Sequence, residues 1–517
     1  VENAIGIALD PSSNQELKCQ AINFVNQLHR IASGKQACVA LFTRIPKCSD
    51  VVRVVSLEVI INAIKDDQLD VQFLSQLRGT LLEYIKKVYS SGDQEMVDPA
   101  HLQNKLSQTL TFLFIATYMR GWDNFFDDFL VLTAFQNDNT RKNSVGTVLY
   151  LRTLNSIHDE IADVLVTRTT EETRRNTELK DAVRAHDVSK IVTSWQEILS
   201  HWQGQNDAII EMCLKVMGKW SSWIDISLIL NRDLLNYVFQ FVGRTNPDKT
   251  VDKVRDAAIG TLGEIVSKKM KASDKIQMII FLNLGEVISQ LIASPPLNEF
   301  RATSSCDTDL TETVAKLVNN VVSDIVMALE GSQNLTEVRT EAEKLIQTFL
   351  PFLIRFFSDE YDEICSTVIP SLTDLLAFLR KVKPLSAMYS AMLTPILNSI
   401  IQKMKYDETY SWGREDEQTD EAEFHELRKR LQVLQKSVAA IDQSLYIEIL
   451  SNLVGNTFQS LEQQNGHMDW RDVDLALYEM YLFGELALNG SGLYTKGRPS
   501  NLAAERLVIM ISKMIDS

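Results

Sequence analysis

The apolar residues of this chain recur at intervals of three and four almost from end to end. In residues 21–31, Ile22, Val25 and Leu28 form a stripe that Phe24 and Ile31 widen, and residues 51–64, 71–89 and 507–515 repeat the pattern. That spacing places side chains on one face of an α-helix. Strict two-residue alternation, the mark of a half-buried strand, is nearly absent. The chain therefore reads as all-α. Its 20 glycines and 11 prolines in 517 residues are roughly half the usual combined share of about 12%. That scarcity excludes turn-rich sandwiches, barrels and propellers, and collagen-like or low-complexity chains.

A helical chain of this length cannot close around one core, because single cores stop growing near about 250–300 residues. Stacked helix pairs are the usual solution. Polar breaks at 90–100, 243–250 and 293–298 separate helices of short to medium length. Segments 349–357 and 393–401 align on Pro351 and Pro395, 44 residues apart, with 368–379 as the paired helix between them. This interval falls within the roughly 40–47 residues of HEAT and armadillo repeats. The expected fold is an all-α HEAT-repeat α-solenoid, a curved superhelix of antiparallel helix pairs, because each pair exposes an apolar face that only its neighbours cover. Residues 297–311 read as a polar loop between repeats. Residues 406–423 read as an exposed acidic insertion, dividing the chain into 1–165, 166–405, 406–423 and 424–517.

The formal charge of −16 argues against nonspecific nucleic-acid binding by the whole surface, so any RNA contact requires a local basic face. Six scattered cysteines without a C-x-x-C pair read as reduced thiols. No run of 18 apolar residues is uninterrupted; the nearest, 276–293, carries Asn283, Glu286 and Gln290. With no charged-then-apolar opening segment, the chain reads as soluble and intracellular, with no membrane partner. Phosphate-loop, dinucleotide, nucleophile-elbow and H-E-x-x-H motifs are all missing. Gly490 and Gly492 lack the flanking strand and helix of a phosphate cradle and read as a flexible loop. His158, Asp159 and Glu160 are consecutive, so a helix does not converge them on one ion. The lone His29 and His201 read as surface or partly packed. No catalytic residue, metal or cofactor is expected.

Three stretches carry a family resemblance. Residues 102–130 resemble the signature helix pair of the nuclear exportins, through Asn104, Lys105, Leu106, Trp122, Phe125, Phe126, Asp128 and Leu130. Physically, Trp122, Phe125, Phe126 and Phe129 should pack between neighbouring repeats. Residues 219–239 resemble the W-I-D-L-S-L-I-x-N helix of the exportin-t family through Trp223, Ile224, Asp225, Ile226, Ser227, Leu228, Ile229 and Asn231, and 254–270 follow at similar spacing. Residues 405–431 resemble that family's acidic insertion and following helix through Glu423, Phe424, Glu426, Arg428, Lys429 and Leu431. The resemblance covers the N-terminal half of family members.

The resemblance implies a tRNA export karyopherin that binds tRNA together with the GTP form of the Ran GTPase and releases both in the cytoplasm after hydrolysis. It would shuttle between nucleus and cytoplasm, contact phenylalanine-glycine repeats of nucleoporins, perform no chemistry itself, and be monomeric when free. By that analogy Ran meets the inner helices of the first repeats, at 14–32, 49–66, 99–120 and 143–164. A second Ran candidate is the acidic run Glu415, Asp416, Glu417, Asp420, Glu421 and Glu423; the alternative is a solvated loop, or charge that keeps RNA from settling there. Candidate tRNA contacts are Arg168, Arg174, Arg175, Lys180 and Arg184; Lys268, Lys269 and Lys271; and Arg428, Lys429 and Arg430. Each basic cluster has nearby acids and reads alternatively as a solvated helix face. Without interleaved aromatics, they suit folded RNA rather than a stacked single strand. A protein-cargo exportin or importin, predicting Ran binding without tRNA, and a helical scaffold, predicting neither, are the competing readings.

Overall fold

The computed structural model describes residues 1–65, 71–93, 95–135, 140–244, 251–298, 307–331, 336–407, 418–463, 467–488 and 492–516. They form two compact units, 1–268 and 269–517. In the first, Asp50–Lys65, Ala100–Thr117, Ser144–Ile161, Asp207–Ser221 and Lys253–Ser267 lie side by side in that order. Val71–Tyr89, Phe125–Leu130, Val188–Trp202 and Arg232–Val242 back that row, so alternate helices form two layers. Thr170–His186 is an added helix that touches Ser144–Ile161, Val188–Trp202 and the turn at Tyr118–Arg120.

Three of the four expected inner stretches are row helices. The fourth, 14–32, becomes Gln15–Gln27 plus a turn at Leu28–Arg30 and packs on Glu2–Leu9. Its predicted stripe is only partly buried: Leu28 is covered, whereas Ile22, Phe24 and Ile31 are exposed.

The aromatic signature fills the space between layers. Trp122, Phe125, Phe126 and Phe129 are buried. Phe125 packs 4.8 Å from Trp122 and 4.9 Å from Phe114 between ring centroids. Asp128 accepts the Trp122 indole N–H at 2.9 Å, satisfying the polar edge of a buried ring. Trp223 packs at a tilt 4.6 Å from Trp220, and Asp225 caps the short Ile226–Ile229 helix by accepting the Ser227 N–H at 2.9 Å.

In the second unit Ala272–Phe281, Thr308–Gly331, Asp362–Lys381, Gln418–Ile441 and Trp470–Leu488 form one row. Leu284–Ala293, Thr336–Phe357 and Ala387–Lys403 form another. Pro351 and Pro395 lie inside neighbouring helices of this second row, and the expected partner segment 368–379 lies in Asp362–Lys381, packed against the first of them. The chain is a HEAT-type stack of helix pairs. The apolar stretch at 276–293 breaks at Asn283, whose φ of 47° joins two helices inclined at 49°. Among the described residues no single helix is long and apolar enough to cross a membrane. One hairpin escaped the sequence reading: Tyr494–Thr495 pairs with Arg498–Pro499 around Lys496 and Gly497, both at positive φ, a geometry that Gly497 adopts without strain.

Candidate functional site

The row of the first unit opens into two clefts. One, of about 950 Å³, lies among Ala100–Thr117, Ser144–Ile161 and Asp207–Ser221 and is walled by Lys105, Arg152, Asp159, Glu160 and Lys215. The other, of about 630 Å³, has an apolar floor of Ile64, Phe112, Ile115 and Met119 and a rim that includes Lys65, Arg120, Arg174 and Arg175. Glu160 borders both. Lys65 sits 3.9 Å over the Phe112 ring. Arg174 is exposed, and Arg175 donates to Asn176 Oδ1 at 3.1 Å. Lys65 and Arg120 were missed in sequence because they come from other helices, more than fifty residues before Arg174 and Arg175 in its chain order.

Beside these clefts, expected cations merge. Burial lowers the Lys180 pKa first, and Arg184 and Arg168 lower it further. Burial and then Arg184 do the same to Lys268. Arg168, Lys180, Arg184 and Lys268 are thus one positive cluster assembled from three parts of the chain. Several are held by carbonyls at helix ends. Arg168 donates to Glu160 O at 2.7 Å and Asp159 O at 3.0 Å; Arg184 donates to Trp223 O at 2.7 Å; Lys268 donates to Ile224 O at 2.7 Å and Ser221 O at 2.9 Å. These bonds satisfy the orphan carbonyls of a helix C-terminus. A neutral carbonyl does not cancel the cation's charge; Asp181 beside Lys180 and Arg184, Asp225 near Lys268 and Glu172 near Arg168 offset part of it. Lys268→Met should lower the local unfolding free energy by about 1.5 kcal/mol, read by hydrogen exchange in Asp207–Ser221.

The other candidates are placed differently. Lys269 and Lys271 are exposed at the start of the second unit. Arg428 needs correction as an RNA contact: only 3% exposed, it donates to Met404 O at 2.9 Å and Asp474 Oδ2 at 2.6 Å, with Tyr406, Phe424 and Tyr478 rings around its guanidinium. It is an interior tie. Lys429 is exposed and paired with Glu426; Arg430 is exposed and donates to Ser366 Oγ at 3.0 Å. Of the acidic run, Glu415, Asp416 and Glu417 and the side chain of Asp420 lie outside the described residues. Glu421 and Glu423 belong to the first turns of Gln418–Ile441. His158 is buried, accepts the Trp223 indole N–H at 3.3 Å, and is pushed down to about 4 by burial. Among the described residues no His, Cys, Asp and Glu group could hold a metal ion.

Two family models match. The Exportin 1-like protein model covers residues 99–262, which contain the stretches 102–130 and 219–239, and the Exportin-T model covers 336–517. A curated Exportin-T of Sclerotinia sclerotiorum is 62% identical over all 517 residues, and one of Botryotinia fuckeliana is 60% identical over the same length. Along its whole length the chain is similar in sequence to proteins named Exportin-T. It spans about half the length of these relatives, 50% of each. The fold has a solved counterpart in a structure titled Importin13 cytosolic state, at a TM-score of 0.58 and 12% identity over 81% of this chain and 48% of that one.

Proposed function

We propose that the chain supplies part of a nuclear export receptor for tRNA, which binds its cargo together with GTP-bound Ran and releases it in the cytoplasm after hydrolysis. The supporting observation is that Arg168, Lys180, Arg184 and Lys268, from three parts of a chain of charge −16, come together, with Arg184 and Lys268 both bonded to carbonyls at 221–224. Folded RNA is held through its backbone by such clustered cations. Phenylalanine-glycine nucleoporins and passage between nucleus and cytoplasm belong to the same reading.

The mechanism is linkage. If Ran and tRNA favour the same arrangement of repeats, each tightens the other by one common factor, and hydrolysis removes Ran's share. The test is tRNA affinity of the chain with and without GTP-locked Ran, at fixed near-physiological salt. Ran is expected to tighten tRNA binding. Lys180→Glu should weaken tRNA roughly tenfold and flatten the salt dependence. Ran binding without any gain for tRNA would transfer the chain to the protein-cargo karyopherins.

A further inference from the structure

The hairpin before Leu502–Asp516 carries charge opposite in sign to the chain's −16. From Gly492 to Arg506 the charged residues are Lys496, Arg498, Glu505 and Arg506, and the preceding Asn489, Gly490 and Ser491 add none. Lys496, Arg498 and Arg506 are all exposed, and among the described residues their side chains have no ion pair or hydrogen bond. By contrast, the exposed Lys316 and Lys381 are met by Glu312 and Glu330. The ring of Tyr494 is unengaged as well: it is 56% exposed, and among the described residues neither ring nor hydroxyl has a partner.

The backbone sets these side chains in place. Tyr494 pairs with Pro499 and Thr495 with Arg498, so Tyr494 and Pro499 share one face and Lys496 stands at the tip. Lys496 and Gly497 have φ of 52° and 78°, as in the two-residue turns of type I′. Such turns favour Asn, Asp or Gly at the first position, and other side chains are strained there. Local stability therefore favours asparagine over Lys496, and what lysine adds is a charge at the tip. The ends of the hairpin are tied down. The Ser500 N–H donates to Leu493 O at 3.1 Å, Ser500 Oγ donates to Gly492 O, and Asn501 Oδ1 accepts the Ala504 N–H at 2.8 Å. A ligand would meet a hairpin that is already ordered.

We propose that this hairpin is a contact for an unpaired stretch of RNA, with a base stacked on Tyr494 and adjoining phosphates on Lys496 and Arg498. An exposed aromatic face set among cations is the arrangement that holds single-stranded nucleic acid, because every base has a face to stack and a phosphate beside it. The cluster at Arg168, Lys180, Arg184 and Lys268 instead suits a paired backbone, so the two sites would read different parts of one folded RNA. An acidic protein segment fits less well, since it would use the cations and leave the Tyr494 face idle.

The inference rests on the RNA-cargo reading and adds a second contact to it. The experiment measures binding to the unmodified chain, Tyr494→Ala, Lys496→Asn and Arg498→Gln at several salt concentrations. The probes are tRNA, single-stranded oligouridine, a blunt RNA duplex and an oligoglutamate peptide. Tyr494→Ala is expected to weaken oligouridine roughly tenfold and leave the duplex unchanged. Lys496→Asn should weaken oligouridine and reduce its salt slope by about 0.7. That variant should melt no lower than the unmodified chain, because asparagine suits the turn, and so separates lost binding from lost folding. Unchanged oligouridine and tRNA binding in all three variants overturns the hairpin site and leaves the cargo reading standing. Equal losses of oligouridine, duplex and oligoglutamate in the two charge variants, with none in Tyr494→Ala, overturn it in favour of an acidic protein segment. Loss of oligouridine in Tyr494→Ala, with no tRNA binding to the unmodified chain, supports the hairpin contact and overturns the cargo reading alone. Absence of all RNA binding overturns both.

Discussion

Replacing Asp98 with alanine is expected to destabilise the first unit by about 3–5 kcal/mol, the usual effect of removing one partner from a buried ion pair. Asp98 and Arg53 are both fully buried side chains, 2.7 Å apart. The same carboxylate accepts from Lys47 at 2.7 Å, Tyr84 at 2.9 Å and Tyr89 at 2.8 Å. One anion therefore serves four donors from Lys47, Asp50–Lys65 and Val71–Tyr89. Without it, the Arg53 charge is left in the interior without a carboxylate, beside Phe42 O at 3.4 Å, the Tyr84 hydroxyl at 2.6 Å and the Phe42 ring at 4.8 Å. Burial alone would raise the Asp98 pKa, but Lys47 and Arg53 outweigh burial and hold it below its ordinary 3.8. Its contribution is thus fully present above about pH 4 and fades as pH falls through the lower folded value. Hydrogen exchange of amides in Asp50–Lys65 and Val71–Tyr89 reads the change. A loss below about 1 kcal/mol would mean that the pair contributes little beyond filling space.

Asp98 also shows why fold and site differed in legibility. The repeat was readable because it rests on local facts: helical spacing, and two prolines 44 residues apart that prove to lie on neighbouring helices of one row. Asp98 stood in what looked like a solvated polar break, and its role depends on Lys47 and Arg53, some fifty residues earlier. The cations suffered the same blindness in reverse. Arg428, Lys429 and Arg430 are adjacent in sequence, yet the first turns into an aromatic interior while the other two face outward. Arg168 and Lys268 are a hundred residues apart in sequence but are joined through the helix between them: Arg168 and Arg184 both act on Lys180, and Arg184 acts on Lys268. Which face a helix turns inward follows from period; which ends meet across turns follows from packing.

Glu479→Gln is expected to stabilise the second unit by about 3 kcal/mol at pH 8 and by little at pH 5. Glu479 is fully buried between Gln418–Ile441, Gln443–Gln463 and its own helix, Trp470–Leu488. Gln435 Nε2 donates to one of its oxygens at 2.6 Å. Among the described residues its other oxygen, Gln435 Oε1 and the Tyr446 hydroxyl have no hydrogen-bond partner. Burial pushes Glu479 up to about 7, against the pull of Gln435 and of the more distant Arg428. The sign follows from proton uptake: between about pH 4.5 and 7 the folded chain holds this proton and the unfolded chain does not. Stability therefore falls as pH rises through that window and is flat beyond it. A glutamine keeps the shape, carries no charge and brings a donor to a site short of donors. Hydrogen exchange of the three helices at pH 5 and pH 8, in both proteins, measures the gap between them. If that gap is the same at the two pH values, Glu479 is not the group that titrates.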